Sequence, residues 1–198
     1  MKYEKLLPEL SMYEAARANV ADRKVRTAVS FYGKKYTFDE IFRLIDCLAD
    51  NLAQEFSLRK GDTVTLCAPN SPQALLAFYA ANKLGIKVNL VHPYIPPEKL
   101  GESIERTGSK ILFVYDLYKG DASAFSVPVL VSNCGYFMSF AAKIYYRLTN
   151  KRTMRGGIPF EKYLKDRRAP HKNAERFAME EPAVYLASGG TTGEPKII

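Results

Sequence analysis

The feature that most constrains this chain is a strand-turn-helix unit repeated from Lys60 onward. Gly61-Asp62 leads into the apolar run Val64-Thr65-Leu66-Cys67-Ala68, which Pro69-Asn70-Ser71-Pro72 then stops. Ser71 is placed to cap a helix with Pro72 at its first position, and Gly85 ends it. Ile86-Lys87-Val88-Asn89-Leu90-Val91 is the next run; Pro96-Pro97 opens another helix through Thr107, Gly108 closes it, and Lys110-Ile111-Leu112-Phe113-Val114-Tyr115 follows. Largely apolar runs without strict alternation belong to strands covered on both faces. The expected fold class is therefore α/β, a mostly parallel sheet flanked by helices. Val127 to Val131 and Ala183 to Ala187 are candidates for further strands.

Upstream, the punctuation is equally local. Ser11-Met12-Tyr13-Glu14 has the form of a capping box and predicts a helix from Met12 to about Val20. Thr27 to Tyr32 and Lys35 to Thr37 flank Gly33-Lys34 and predict a hairpin with its turn there. Thr37-Phe38-Asp39-Glu40 is a second capping box. Behind it Ile41, Leu44, Ile45, Leu48, Ala49, Leu52 and Phe56 form one stripe of a helix spanning Phe38 to Phe56. Cys47 lies off that stripe and is expected to be chemically idle.

The last stretch carries the chemistry. In Ser188-Gly189-Gly190-Thr191-Thr192-Gly193-Glu194-Pro195-Lys196, the three glycines let backbone N-H groups approach an anion closely. Ser188, Thr191 and Thr192 add hydroxyl donors and Lys196 a fixed positive charge; a triphosphate suits such a loop. The spacing is not that of the Walker A loop, because Glu194 and Pro195 stand between the last glycine and the lysine. Pro195 also restrains Glu194 from helical geometry, so an extended run into Ile197-Ile198 is expected. A phosphate-loop hydrolase would further need a catalytic partner that the sequence does not identify.

Those nine residues closely resemble the signature loop of the adenylate-forming enzymes, which include acyl-CoA synthetases, firefly luciferase and peptide-synthetase adenylation domains. Tyr36 to Glu40, Lys60 to Val64, Pro69-Asn70-Ser71, Leu84-Gly85 and Pro93 to Leu100 match the spacing typical of acyl-CoA synthetases. Within them the chain resembles the long-chain fatty acid CoA ligase type, although the sequence does not set the chain length of the acid. The resemblance covers about residues 25 to 116 and 180 to 198. It implies a ligase that joins ATP and a carboxylic or fatty acid into an acyl-adenylate with release of pyrophosphate, then transfers the acyl group to coenzyme A. ATP, Mg²⁺ and coenzyme A are the implied cofactor and co-substrates. Ser188, Gly189, Gly190, Thr191, Thr192, Gly193 and Lys196 are the implied nucleotide-binding residues.

The resemblance assigns no catalytic residue and no metal ligand within this chain. In the family the adenine pocket, the Mg²⁺-binding acid, the acyl pocket and the catalytic lysine follow later. The expectation is thus the N-terminal part of a longer synthetase, inactive alone. Its divisions would be an α/β core at 25 to 133, a basic helical insertion or linker at 134 to 180, and the strand and phosphate loop at 181 to 198. A sheet cut in this way would expose an edge, so self-association is expected.

The remaining readings concern charge and solvent. Of the 198 residues, 47% are hydrophobic and 25% charged, with no apolar run long enough to span a bilayer. Met1 to Glu9 lack the apolar centre of a secretion signal, and three dispersed cysteines suit a reducing compartment, so the expected location is cytoplasmic. The net charge of +8 is concentrated between Lys143 and Lys172, where ten basic residues face only Glu161 and Asp166. Phe137, Phe140, Ala141, Ile144, Tyr145 and Leu148 make an apolar helical stripe within that region. Two readings follow: a helix packing its stripe on the core, or a surface module that peripherally meets the anionic inner face of a membrane. Nucleic acid is disfavoured for want of stacking aromatics or a groove-binding fold. His92 reads as a loop residue, and a cysteine enzyme using Cys134 with His92 or His171 has only residue identity behind it.

Overall fold

Two helices begin as their capping boxes require. In the computed structural model, which describes residues 10–165, 175 and 181–186, helix α1 (Met12–Asn19) starts with Ser11 accepting from the Glu14 amide while the Glu14 carboxylate takes the Ser11 amide. Strands β1 (Thr27–Phe31) and β2 (Lys34–Thr37) form an antiparallel hairpin, and Thr37 and Glu40 repeat the reciprocal cap at the head of α2 (Phe38–Phe56). The hairpin turn is Tyr32-Gly33, one residue earlier than predicted. Tyr32 takes φ 42° and Gly33 φ 79°, the double positive φ of a tight turn, which leaves Lys34 free to pair with Phe31.

The repeated units follow in order: β3 (Thr63–Cys67), α3 (Pro72–Lys83), β4 (Lys87–Leu90), α4 (Pro97–Thr107) and β5 (Ser109–Tyr115). Short strands β6 (Gly120–Asp121) and β7 (Val129–Ser132) lead to α5 (Phe140–Thr149), then β8 (Met154–Arg155), β9 (Ile158–Pro159) and β10 (Val184–Leu186). Six strands make one sheet in the order β10-β4-β3-β5-β7-β9, and every pairing in it is parallel. This is the expected α/β class.

The pleat divides the sheet into two cores. Val64, Leu66, Ile111, Phe113 and Leu130 face α2 and α3, whereas Cys67, Leu112, Val114, Val129 and Val131 pack with Leu100 and Ile104 of α4. The strands are buried on both faces, which is why their sequence runs lack alternation. After β3 the chain places β4 on one side and then crosses to set β5 on the other. That reversal is a topological switch point, and in open α/β sheets ligands bind beyond the carboxyl ends of the strands at such a point.

Cys47, off the main stripe of α2, is nonetheless only 3% exposed, because α2 is covered on two sides: by α3 and by the 3₁₀ turn Phe160–Leu164. Asn51 of α2 donates to the carbonyls of Tyr163 and Lys165, tying that turn down.

Of the two readings of the α5 stripe, packing on the core is the one the fold does not adopt. Phe137 is buried ahead of the helix, but Phe140, Ile144, Tyr145 and Leu148 are exposed and no residue of α5 is buried. The helix is held instead through its opposite side, where the Tyr146 hydroxyl donates to Asp116 at 2.8 Å.

Candidate functional site

Parallel pairing of β3 with β4 brings the loops that follow them together at their carboxyl ends. Ser71 caps α3 by accepting from the Ala74 amide, and Pro72 sits in the first turn, so this helix begins abruptly beside the strand it follows. After β4, the His92-Pro93-Tyr94-Ile95 turn is closed by the Ile95 amide donating to the His92 carbonyl, and Pro97 starts α4. The two turns and the hairpin strand β1 border an open cleft of about 1350 Å³.

The cleft has an apolar wall and a charged rim. Phe31, Leu75, Phe78 and Ile95 contribute to the wall, while Lys99, Glu102 and Arg106 of α4 stand along the rim. Helix α4 is fixed there by a buried polar network. The Asn89 side-chain amide donates to Thr65 Oγ1 at 3.0 Å and to Ser103 Oγ at 2.9 Å, and Thr65 meets Ser109 at 2.7 Å. Each hydroxyl in that set has a partner, so the network rigidifies α4 against β3 and β4. His92, an unassigned loop residue by sequence, lies on the cleft lining and uses Nδ1 to accept from the Tyr94 amide.

β10 enters this site from the flank. It pairs in parallel with β4, and its last residue, Leu186, lines the cleft. The chain thus runs toward the glycine loop from the carboxyl end of a strand at the cleft rim. Ser188, Gly189, Gly190, Thr191, Thr192, Gly193 and Lys196 themselves lie outside the described residues, as does His171. Among the described residues, no group of three His, Cys, Asp or Glu side chains converges as a metal site, and no helix is long and apolar enough to cross a membrane.

A second cluster occupies the carboxyl ends of β5 and β7. Asp116 accepts from the Tyr146 hydroxyl and from the Cys134 amide, and Glu161 accepts from the Asn133 amide at 2.7 Å. Burial, reinforced by the neighbouring Asp116, pushes the Cys134 thiol up to about 12. Burial alone does the same to Cys67. Thiols so displaced stay protonated and are poor nucleophiles, which runs against a cysteine enzyme built on Cys134.

Sequence reasoning did not find the cleft. Phe31, Phe78, Ile95 and Arg106 meet there from four separate elements. The available signal was the coincidence of Ser71-Pro72 and Pro93 to Pro97 at the ends of successive strands.

Comparison with known proteins places this architecture. The model of the AMP-binding enzyme family matches residues 16–198. A long-chain-fatty-acid–CoA ligase of Bacillus subtilis is 27% identical over 98% of this chain and 37% of its own length. An acetyl-coenzyme A synthetase of Deinococcus radiodurans is 27% identical over 82% of this chain and 26% of its own. The chain therefore spans about a third of the length of these curated relatives. Among solved structures, an anthranilate CoA ligase in complex with anthranoyl-AMP covers all of this chain, which spans 36% of it, with a TM-score of 0.77 and 18% identity. An O-succinylbenzoate coenzyme A synthetase of Bacillus subtilis in complex with AMP has a TM-score of 0.64 and 22% identity over 96% of this chain and 42% of that one. These two share the fold. With the family model extending over nearly the whole sequence, the chain belongs to the AMP-binding enzyme family.

Proposed function

We propose that this chain supplies the nucleotide-phosphate side of an AMP-forming acid–thiol ligase. In the first step a carboxylate oxygen attacks the α-phosphorus of ATP, the bond to the β-phosphate oxygen breaks, and pyrophosphate leaves. In the second, the thiol of coenzyme A loses its proton and attacks the acyl carbon, and AMP departs with the bonding electrons. A fatty acid is the proposed acid, in line with the long-chain-fatty-acid–CoA ligase among the relatives.

The observation that carries this reading is the position of β10, whose last residue, Leu186, lines the cleft. The glycine-rich sequence begins two residues later, at Ser188, in a chain that the AMP-binding family model matches over residues 16–198. Backbone amides of Gly189, Gly190 and Gly193, hydroxyls of Ser188, Thr191 and Thr192, and the Lys196 ammonium would hold the β- and γ-phosphates while the α-phosphorus is attacked. Their work is positioning and charge neutralisation, with no covalent intermediate on the protein. Mg²⁺ would enter with the nucleotide as its counter-ion.

The test is equilibrium binding of ATP to the full chain and to Lys196→Ala. A charge-assisted hydrogen bond is worth roughly 1.5–3 kcal/mol, so the variant should bind ten- to a hundredfold more weakly. Equal affinity of the two proteins would overturn the assignment of the loop. Spanning about a third of its relatives, the chain alone is expected to release no pyrophosphate from ATP with a panel of carboxylic acids. Clear turnover would contradict that part of the proposal.

A further inference from the structure

We infer that the outward face of α5 is a docking surface for an anionic lipid bilayer. Phe140, Tyr145 and Leu148 are 80%, 69% and 81% exposed, and Ile144 is 43% exposed. Phe140, Ile144 and Leu148 recur every four residues, with Ala141 and Tyr145 in the adjoining row, so these side chains form one stripe. Three large apolar residues at such exposure on a ten-residue helix are not the scattered surface hydrophobics of an ordinary fold.

The charge beside the stripe identifies its partner. Lys143 and Arg147 lie in the helical row next to Phe140 and Ile144, and Lys151, Arg152 and Arg155 follow directly after the helix. Between residues 133 and 165 the only acidic residue is Glu161, whose carboxylate faces inward on the Asn133 amide. An apolar stripe bordered by cations fits a surface that is hydrocarbon below and negatively charged above: long basic side chains reach the headgroups while Phe140 and Leu148 enter the acyl boundary. Tyr145 suits the intermediate depth.

The helix is also held ready. Tyr146 is bonded to Asp116 on the protein side, and the Ser139 amide at the helix start donates to the Tyr32 carbonyl of the hairpin turn. Docking therefore needs no folding step.

Flotation of the full chain with phosphatidylcholine vesicles, with and without phosphatidylglycerol, tests the inference. The chain should float with the anionic vesicles only, and added salt should release it. Phe140→Asp combined with Leu148→Asp should abolish flotation while leaving the far-ultraviolet circular dichroism unchanged, since both side chains project into solvent. Arg147→Ala and Lys151→Ala should each weaken partitioning about fivefold, the equivalent of about 1 kcal/mol per basic residue. Should the double aspartate variant misfold, Arg147→Glu with Lys151→Glu gives the same readout without touching the stripe. Failure to float, equal flotation with neutral vesicles, or recovery indifferent to these variants overturns the proposal. So does a stripe variant that only lowers the light-scattering mass, which would make the face a contact between copies of the chain.

Discussion

The Lys83 ammonium, only 3% exposed, lies 2.8 Å from Asp46 Oδ1 between α3 and α2. Asp46 also accepts from the Tyr13 hydroxyl at 2.6 Å and from Arg17 at 2.6 Å, so one carboxylate joins three helices; Asp50 stands 3.8 Å from the same ammonium. Breaking a buried pair by removing one partner costs about 3–5 kcal/mol, because the other charge stays desolvated. Asp46→Asn should lie near the top of that range, since it weakens three bonds. Lys83→Met should cost less, since Asp46 keeps Tyr13 and Arg17. Urea midpoints in that order support this network, and the reverse order would contradict it.

The carboxylates of Asp46 and Glu161 respond to acid in opposite senses. Burial pushes Asp46 up, but hydrogen bonds from Lys83, Tyr13 and Arg17 outweigh it and hold the carboxyl below its ordinary value. Its contribution is therefore complete above the unfolded-state value of about 4 and is lost as pH falls through the lower folded value. Glu161 is raised by burial, against the opposing pull of the Asn133 amide. Its charged form is the less stable one in the fold, so its contribution is complete below about pH 4 and lost as pH rises through the raised value. Glu161→Gln keeps an acceptor for Asn133 and removes the charge. It should raise the urea midpoint at neutral pH, with the advantage shrinking toward pH 4. A lower midpoint at neutral pH would show that the charge itself is required.

Thiol chemistry gives an independent check on the second cluster. With Cys67 and Cys134 both pushed up to about 12, the thiolate fraction at mildly alkaline pH is roughly a thousandfold below that of a free cysteine. Iodoacetamide should label neither residue in the native protein over a time that fully alkylates the urea-unfolded chain. Rapid native labelling of Cys134 would mean that Asp116 and Tyr146 do not enclose it.

How far the sequence could be read depended on how local each signal was. Ser11 with Glu14, and Thr37 with Glu40, complete their caps within four residues, and both helices begin where those residues place them. The parallel sheet was equally legible, because burial on both faces writes itself into each strand. The side to which the α5 stripe turns was not. Periodicity defines a stripe, but the anchoring contact joins Tyr146 to Asp116, thirty positions away, and puts the stripe outside. β9 was hidden for the same reason: two residues carry no period, and their pairing depends on β7. The glycine-rich sequence from Ser188 to Lys196 was readable as composition and order, and it lies outside the described residues. The cleft walls came from side chains that only the fold brings together.

β9 also offers the sharpest backbone test. Gly157 precedes it with φ 80°, a conformation that side chains rarely tolerate. A Cβ there would stand 2.5 Å from Val131 Cγ2 and 3.1 Å from the Val129 carbonyl oxygen, so β7 leaves no room for it. Neighbouring Gly156, with φ 67°, would meet only Ala122 Cβ at 3.4 Å, an ordinary contact. Gly156→Ala therefore carries the backbone penalty alone, of about 1 kcal/mol. Gly157→Ala adds a clash against a buried strand and should cost roughly 2–4 kcal/mol, expelling Ile158 from its register beside Leu130. Hydrogen exchange should then rise at the β7 amides that face β9, while the α1 and α3 amides remain protected. Equal losses of stability in the two variants would show that β7 does not crowd Gly157, and would leave backbone conformation as the sole demand for glycine at that position.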